Sequence, residues 1–335
     1  MTLRIYAALL AVALAIPAQA LAWGATGHRI IGVLGAESLP PELPAFLRTP
    51  EAAAEIGELA REPDRSKSAG REHDADRDPA HFLDLDDSGK VLGGPSLAAM
   101  PPTRADYETA LRAAGTDSWQ AGYLYYSIVD GWQQLVKDFA YWRALSAAER
   151  HDGSPQHDAW FKADRERRER LIVRDLGTWA HYVGDGSQPL HVSVHFNGWG
   201  DYPNPGGYTT AKIHLPVEGA FVHDNIRIDD VRKAMAAPHP CACSIQAMTA
   251  GYLAATREQV EPLYRLDKVG AFQDGDANGK AFATARLAAG ASELRDLIVA
   301  AWRASEAVTV GWPETRVIDI EAGRVDPYEI LYGID

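Results

Sequence analysis

An all-α fold in one domain is what this chain predicts, on three observations. Apolar residues recur at helical spacing along several long stretches, strand signals are sparse, and no shift in composition divides the chain. Residues 29–38 carry the first helical pattern. Residues 118–145 read as one long helix with a thick aromatic and aliphatic face. Residues 158–186 read as another, polar where it opens (Asp164 to Arg170) and apolar towards its end. Two more follow over 244–265 and 280–306, the last with Leu287, Leu294, Leu297, Ile298 and Trp302 on one side. Two polar connections, 62–80 and 196–210, show no period. Long loops in a compact domain tend to be functional, so both draw attention.

The chain has 335 residues, 46% of them hydrophobic, which suffices for a sizeable core and argues against a disordered class. Residues 1–22 read as a secretory signal peptide, with Arg4 as the charged start, Ile5 to Ile16 as the apolar centre and Ala20-Leu21-Ala22 as the small-residue cleavage site. The apolar run is shorter than the ~20 residues a membrane span needs. The expectation is therefore export, to the periplasm or beyond the cell, with a mature domain over 23–335 that begins at Trp23 and has no transmembrane segment. The net charge is −13, and cleavage would also remove Arg4. So acidic a chain is a poor generic coat for nucleic acid, although bound cations would invert the local field. Cys241 and Cys243 are the two cysteines. A disulfide between them would be tight; two thiols or an intermolecular bond are the alternatives. Two thiolates are too few for a cysteine-based zinc site, so any metal ligands must be imidazole and carboxylate.

The segment richest in such ligands is His181-Tyr-Val-Gly-Asp185-Gly-Ser-Gln-Pro-Leu-His191. His181 and Asp185 are four apart and share one helix face. Gly186 and Pro189 then end the helix, and His191 can turn back beside them. His214-Leu-Pro-Val-Glu218 repeats the spacing, and Pro216 fits if a helix begins near His214. Trp23-Gly-Ala-Thr-Gly-His28 would place a free amine, with a reference pKa of ~8, five residues before a histidine, and a terminal amine and its carbonyl can chelate a metal.

In this combination the chain resembles the superfamily of zinc-dependent phospholipases C and single-strand nucleases, the latter often called the S-one/P-one nucleases. The shared motifs, in order, are WGATGH at 23–28, PDR at 63–65, HFLDLDD from His81, HYVGDGSQPLHV from His181 and HLPVE from His214. The resemblance spans most of residues 23–335. It implies a compact helical domain of that type with long functional loops, and nine ligands for three zinc ions. Trp23 and His28 would hold one, sharing Asp185. Asp64, His81, His181 and Asp185 would hold a second, and His191, His214 and Glu218 a third. Around Asp64, His73, Asp74, Asp76 and Asp78 are rivals; the likeness of Pro63-Asp64-Arg65 to the family motif selects Asp64. His195, His223 and Asp224 are rivals near the third ion, and solvated surface roles are expected for them.

By the same resemblance Asp64 also orients or deprotonates the attacking water. Lys67 stands where nucleases carry a phosphate-neutralising arginine, and Arg65 is its possible substitute. Phe82 could stack a base and Asp84 bond its edge, while Trp199, Tyr202 and Tyr208 could form a further stacking or lipid-facing surface. The opening WGATGH and the VGDGSQPLHV stretch look like the nuclease branch. HLPVE followed by GAFVHDNI is nearer the phospholipase C branch, and Gly206-Gly207-Tyr208 departs from the GGN that nucleases often show. The expected function is an exported zinc-dependent phosphodiesterase, a nuclease acting on single-stranded DNA, RNA or nucleotides, with 3′-nucleotidase activity as a possible addition. A phospholipase C is the alternative, and a non-catalytic zinc-binding protein the third reading.

Overall fold

The structure is a computed structural model and describes residues 23–67, 69–151, 154–241 and 243–333. The signal-peptide expectation for 1–22 lies outside the described residues. The fold is all-α. Its main helices are α1 (Gly24–Glu37), α2 (Pro50–Leu59), α3 (Leu124–His151), α4 (Pro155–Asp185), α5 (Ile245–Arg257), α6 (Val260–Lys268) and α7 (Ala277–Ala304).

The two longest helices form the frame. Trp179 of α4 donates from its indole to the Ile128 carbonyl of α3 (2.9 Å), Arg168 pairs with Asp138 (2.7 Å), and Arg165 with Glu149 (2.6 Å). Rising numbers on one helix meet falling numbers on the other, so α3 and α4 run antiparallel. Gly131 of α3 lies flat against the Trp179 ring, where a Cβ would collide. Helix α1 threads between α2, α4 and α7. Gly32 faces Gly57 of α2 with room for no more than hydrogen atoms, which brings the two backbones together. Thr49 starts α2 by accepting from the Ala52 amide, with Pro50 in the first turn, where its missing N–H costs nothing. Ile31, Leu34, Ile56, Leu176, Leu294 and Ile298 are buried at the centre. One face of α1 and the C-terminal end of α4 thus lie side by side in the interior.

Departures from the sequence expectations have local causes. The helix expected over 118–145 is broken at Gly122. A one-turn helix, Ser118–Ala121, is capped by Asp117, and Gly122 adopts φ 72° before α3 begins. The Phe82 carbonyl fills the place a Cβ at 122 would need, and Leu83 bridges to Gly122. The helix expected over 244–265 is two helices, because Pro262 has no N–H for the Glu258 carbonyl and sits instead in the first turn of α6. The 62–80 connection is not irregular: it holds short helices at Glu62–Arg65 and Arg71–Arg77 and a 3₁₀ turn at Asp78–His81. The 196–210 connection is irregular, as expected. Trp199 and Tyr208 do not form an exposed stacking surface, however; they are buried against Tyr264, leaving Tyr202 outside. A hairpin pairing Thr309–Val310 with Thr315–Arg316, followed by a short helix at Val317–Glu321, covers α3 and was not foreseen. Cys241 and Cys243 form a disulfide with each other. Among the described residues no helix is long and apolar enough to cross a membrane.

Two outcomes follow from this packing. Gly122→Ala should lower stability by more than ~1 kcal/mol in thermal unfolding, because it adds both the φ penalty and the clash with Phe82; an unchanged melting temperature would contradict the fold around 82–122. Glu293 on α7 is pushed up to about 7 by burial, with Asp296 adding to the shift. A carboxyl with a raised native pKa contributes stability below its unfolded pKa and loses it as pH rises through the native one. Glu293→Gln should therefore be more stable than the parent at pH 8, by ~1–3 kcal/mol, and lose that advantage near pH 4 in denaturant titrations.

Candidate metal centre

Five stretches of chain meet at one buried site. Helix α1 brings His28; the 62–65 turn brings Asp64; the 78–81 turn brings His81. The end of α4 brings His181 and Asp185, and the turn after it brings His191. His214 and Glu218 come from a helical segment that starts at His214 and continues as a π-helix, Pro216–Phe221. Pro216 lies in its first turn, as the sequence required. π-Turns are rare and concentrate at functional sites.

Three sets of donor atoms, each within 4.8 Å of one another, form there: His28, His181 and Asp185; Asp64, His81 and His181; and His191, His214 and Glu218. Asp185 lies at the centre. Its carboxylate is 3.5 Å from His28 Nε2, 3.0 Å from His81 Nδ1, 3.3 Å from His181 Nε2 and 3.8 Å from His191 Nδ1. His181 Nε2 is 3.8 Å from Asp64 Oδ1 and 2.9 Å from His81 Nδ1, and the His28 and His181 rings stack at 3.8 Å. Glu218 lies 2.8 Å from His214 Nε2 and 3.7 Å from His191 Nε2. The structure thus adds His181 to the set that the resemblance built around His28.

The surroundings fix which ring nitrogen faces inward. A carbonyl only accepts, so His181 Nδ1 donates to Ala60 O (2.7 Å) and His191 Nδ1 to His81 O (2.6 Å). Both rings therefore present the Nε2 lone pair to the site, the orientation a metal-binding imidazole is usually given. Gln188 Nε2 donates to Glu218 (3.3 Å). The last turn of α4 is held from outside by the Tyr252 hydroxyl on Val183 O (2.7 Å), and the turn after it by Arg286 Nε on Ser187 O (3.0 Å). Trp23 is buried there too, its indole donating to Gly184 O (3.0 Å) and Ser187 Oγ (2.9 Å).

The electrostatics are those of a site waiting for positive charge. Burial is the largest cause that lowers the pKa of His28, His81, His181 and His191, and it pushes His214 down to about 3. The rings are neutral at pH 7, with lone pairs to give. Burial likewise raises Asp185 well above the carboxylate range and pushes Glu218 up to about 7. Both ring nitrogens of His28, Asp185 Oδ1, His191 Nε2, His214 Nε2 and Glu218 Oε1 are buried without a hydrogen bond. Orphaned buried polar atoms cost ~1–3 kcal/mol each. The residues therefore fit divalent cations, and the nitrogen and carboxylate donor set suits zinc.

The other candidates named from the sequence divide clearly. Asp64 is partly buried and paired with Lys67 Nζ at 3.0 Å. Lys67, Phe82 and Asp84 all line a cleft of about 430 Å³ over His81, His191 and His214. None of His73, Asp74, Asp76 and Asp78 enters a donor set. Arg65 points away, pairing with Glu62. His223 and Asp224 are exposed and bond each other. His195, expected to be solvated, is instead buried, with Nδ1 on Trp199 O (2.7 Å) and Nε2 on Asp87 (2.9 Å). The aromatic side chains at the mouth of the cleft, Trp119 and Phe196, were missed: Trp119 was read into the aromatic face of one long helix and Phe196 lay at the start of the loop with Trp199 and Tyr202, and only the fold brings the two together.

No family model and no curated relative matches the sequence. Among solved structures the chain is similar to the alpha toxin of Clostridium absonum, at 13% identity over 85% of this chain and 67% of that one, with a TM-score of 0.36. It is similar to the alpha toxin of an avian strain of Clostridium perfringens at the same identity and coverage, with a TM-score of 0.32. Likeness at these scores carries no argument about chemistry.

If cations satisfy the orphaned atoms, chelator-treated protein should gain thermal stability as zinc is added, by ~2.7 kcal/mol when free zinc reaches a hundred times its Kd. His214→Ala should weaken binding at the third donor set and leave the first two occupied. A melting temperature indifferent to both chelator and zinc would contradict the assignment.

Proposed function

We propose that this chain is a hydrolytic phosphodiesterase working with three zinc ions, exported and matured at Trp23, whose freed amine joins the His28 set. The observation that carries the reading is the adjacency of three buried donor sets, linked through Asp185 and His181, beneath one open cleft. Zinc ions held there would lower the pKa of an attacking water and offset the charge a phosphate ester gains in its transition state.

The chain's own groups supply the rest. Asp64 lies between Lys67 Nζ (3.0 Å) and His181 Nε2 (3.8 Å), where it can orient a water and take its proton. Lys67 keeps a cation on the cleft wall against a non-bridging phosphate oxygen. Asp185 and Glu218 would be ionised by bound cations, and their carboxylates would then keep the imidazole sets and those cations in register. Phe82, Leu190 and Phe196 exclude water from the leaving-group side.

Phospholipid head-group phosphodiesters are the substrates favoured. The cleft walls are largely apolar, and its mouth carries Trp119 and Phe196, 62% and 46% exposed. Exposed aromatics at the mouth of an apolar cleft suit a lipid surface, and His214 with Glu218 resembles the phospholipase C pattern. One observation favours single-stranded nucleic acid or a nucleotide as a second reading. Asp84 is buried beside Phe82 with Oδ1 unbonded, and burial holds its carboxyl well above the usual range. Such a pair could bond a base edge and stack its face.

Zinc-loaded protein beginning at Trp23 should release phosphorylated head group from phosphatidylcholine vesicles faster than it cuts single-stranded DNA. Cleavage of DNA alone would reverse the order of the two readings, and cleavage of neither would remove both. Asp64→Asn should lower kcat by ~100-fold or more on the preferred substrate; a loss under twofold would take the proton-accepting role from Asp64.

A further inference from the structure

A second cavity, about 500 Å³ in volume, lies on the far side of the 78–81 turn from the metal cleft. The turn itself divides them: Asp78, Pro79 and His81 face the cleft, and Ala80 faces the second cavity. Its polar lining is His73, Asp76, Arg77, Arg104, Tyr123 and Tyr182. The wall nearest the metal centre is Tyr182, whose ring lies 5.4 Å from that of His81. A shallower groove connects the two spaces, sharing Pro79 and Trp119 with the cleft and Asp76, Arg104 and Tyr123 with the cavity.

This cavity gathers two arginines, Arg77 and Arg104, with one carboxylate, Asp76, in its lining. The chain has 46 acidic residues against 33 basic ones, and many of its arginines are engaged by carboxylates. Among the described residues Arg77 and Arg104 make no ion pair. The Arg104 guanidinium lies over the Tyr123 ring, 3.9 Å from its centroid, which holds it at the cavity wall. The Tyr123 hydroxyl is tied to Asp76 O, so the platform is itself anchored. His73 Nε2 is buried and makes no hydrogen bond. A planar guanidinium held on a ring, a second arginine and an unbonded imidazole nitrogen are donors for an anion with several oxygens. Asp76 opposes such a ligand, so the site has a built-in sign to test.

We propose that this cavity is an accessory phosphate subsite, taking either a second phosphate group of the substrate or free inorganic phosphate, one turn of chain away from the reacting centre. The inference rests on the phosphodiesterase reading for its function and on the cavity alone for its ligand. Binding and catalysis are therefore measured separately.

Zinc-loaded protein is titrated with inorganic phosphate by calorimetry, in parallel with the Arg77→Gln/Arg104→Gln double variant, an Asp76→Asn variant, and Arg170→Gln as an exposed control. Zinc content is determined for each. The parent should bind one phosphate more than the double variant, Asp76→Asn should bind it about tenfold more tightly, one unit charge removed, and Arg170→Gln should match the parent. Hydrolysis then identifies the source. If the subsite serves the substrate, the double variant raises KM about tenfold for a diester carrying a second phosphate, with kcat unchanged, and leaves a diester with one phosphate untouched. If it serves free phosphate, the double variant loses phosphate inhibition with no change in either KM. Equal phosphate binding by the parent and the double variant, at equal zinc content, would overturn the proposal. Loss of hydrolysis in every protein, with the extra phosphate still bound by the parent, would instead strike the phosphodiesterase reading and spare the subsite.

Discussion

The structure turns on the burial of Asp185 among four histidines. A carboxylate with no exposure to solvent, and with one oxygen lacking a hydrogen bond, is costly unless positive charge compensates it. The rings around it cannot supply that charge, since burial keeps them neutral. The interior is therefore organised around a deficit of positive charge, and divalent cations are the simplest way to fill it. The same shortage recurs a few ångströms away at Glu218, so one explanation covers both carboxylates.

The helical frame exists to hold that arrangement still. Glycines 32 and 57 let α1 approach α2, which places the Ala60 carbonyl where it orients His181. The α3 and α4 pair, locked by Trp179 and by ion pairs along its length, aims the last turn of α4 at α1. Tyr252 and the Trp23 indole then fasten the last turn of α4, and Arg286 fastens the turn that carries the chain on to His191. These bonds run to backbone carbonyls, so the positions of the ligands depend on main-chain geometry that side-chain motion cannot easily relax. Positioning of this kind is what a site needs if charge is to be met in the transition state without reorganisation.

Much of this was legible in the sequence because its signals are local. His181 and Asp185 share a helix face by spacing alone, and the Gly186–Pro189 stretch shows where the helix must stop. His214 and Glu218 depended on reading Pro216 as a first-turn residue, and the helical segment begins where that reading put it. Asp64 and His81 became candidates through motif order, since nothing in their own neighbourhoods separates them from His73 or Asp78. What stayed hidden is what only tertiary contact creates. The break at Gly122 is set by the carbonyl of Phe82, forty residues earlier in the chain. Trp199, Tyr208 and His195 looked like exposed loop residues because their partners, Tyr264 and Asp87, are remote in sequence. The split between α5 and α6 could have been read from Pro262, as the start at His214 was read from Pro216.

The central claim is that the three donor sets bind divalent ions. It is tested most directly by anomalous diffraction at the zinc edge from crystals of zinc-loaded protein beginning at Trp23. The account predicts three anomalous peaks: one by His28 and Asp185, one among Asp64, His81 and His181, and one among His191, His214 and Glu218. A fully ordered site with no anomalous density at any of the three positions would contradict it.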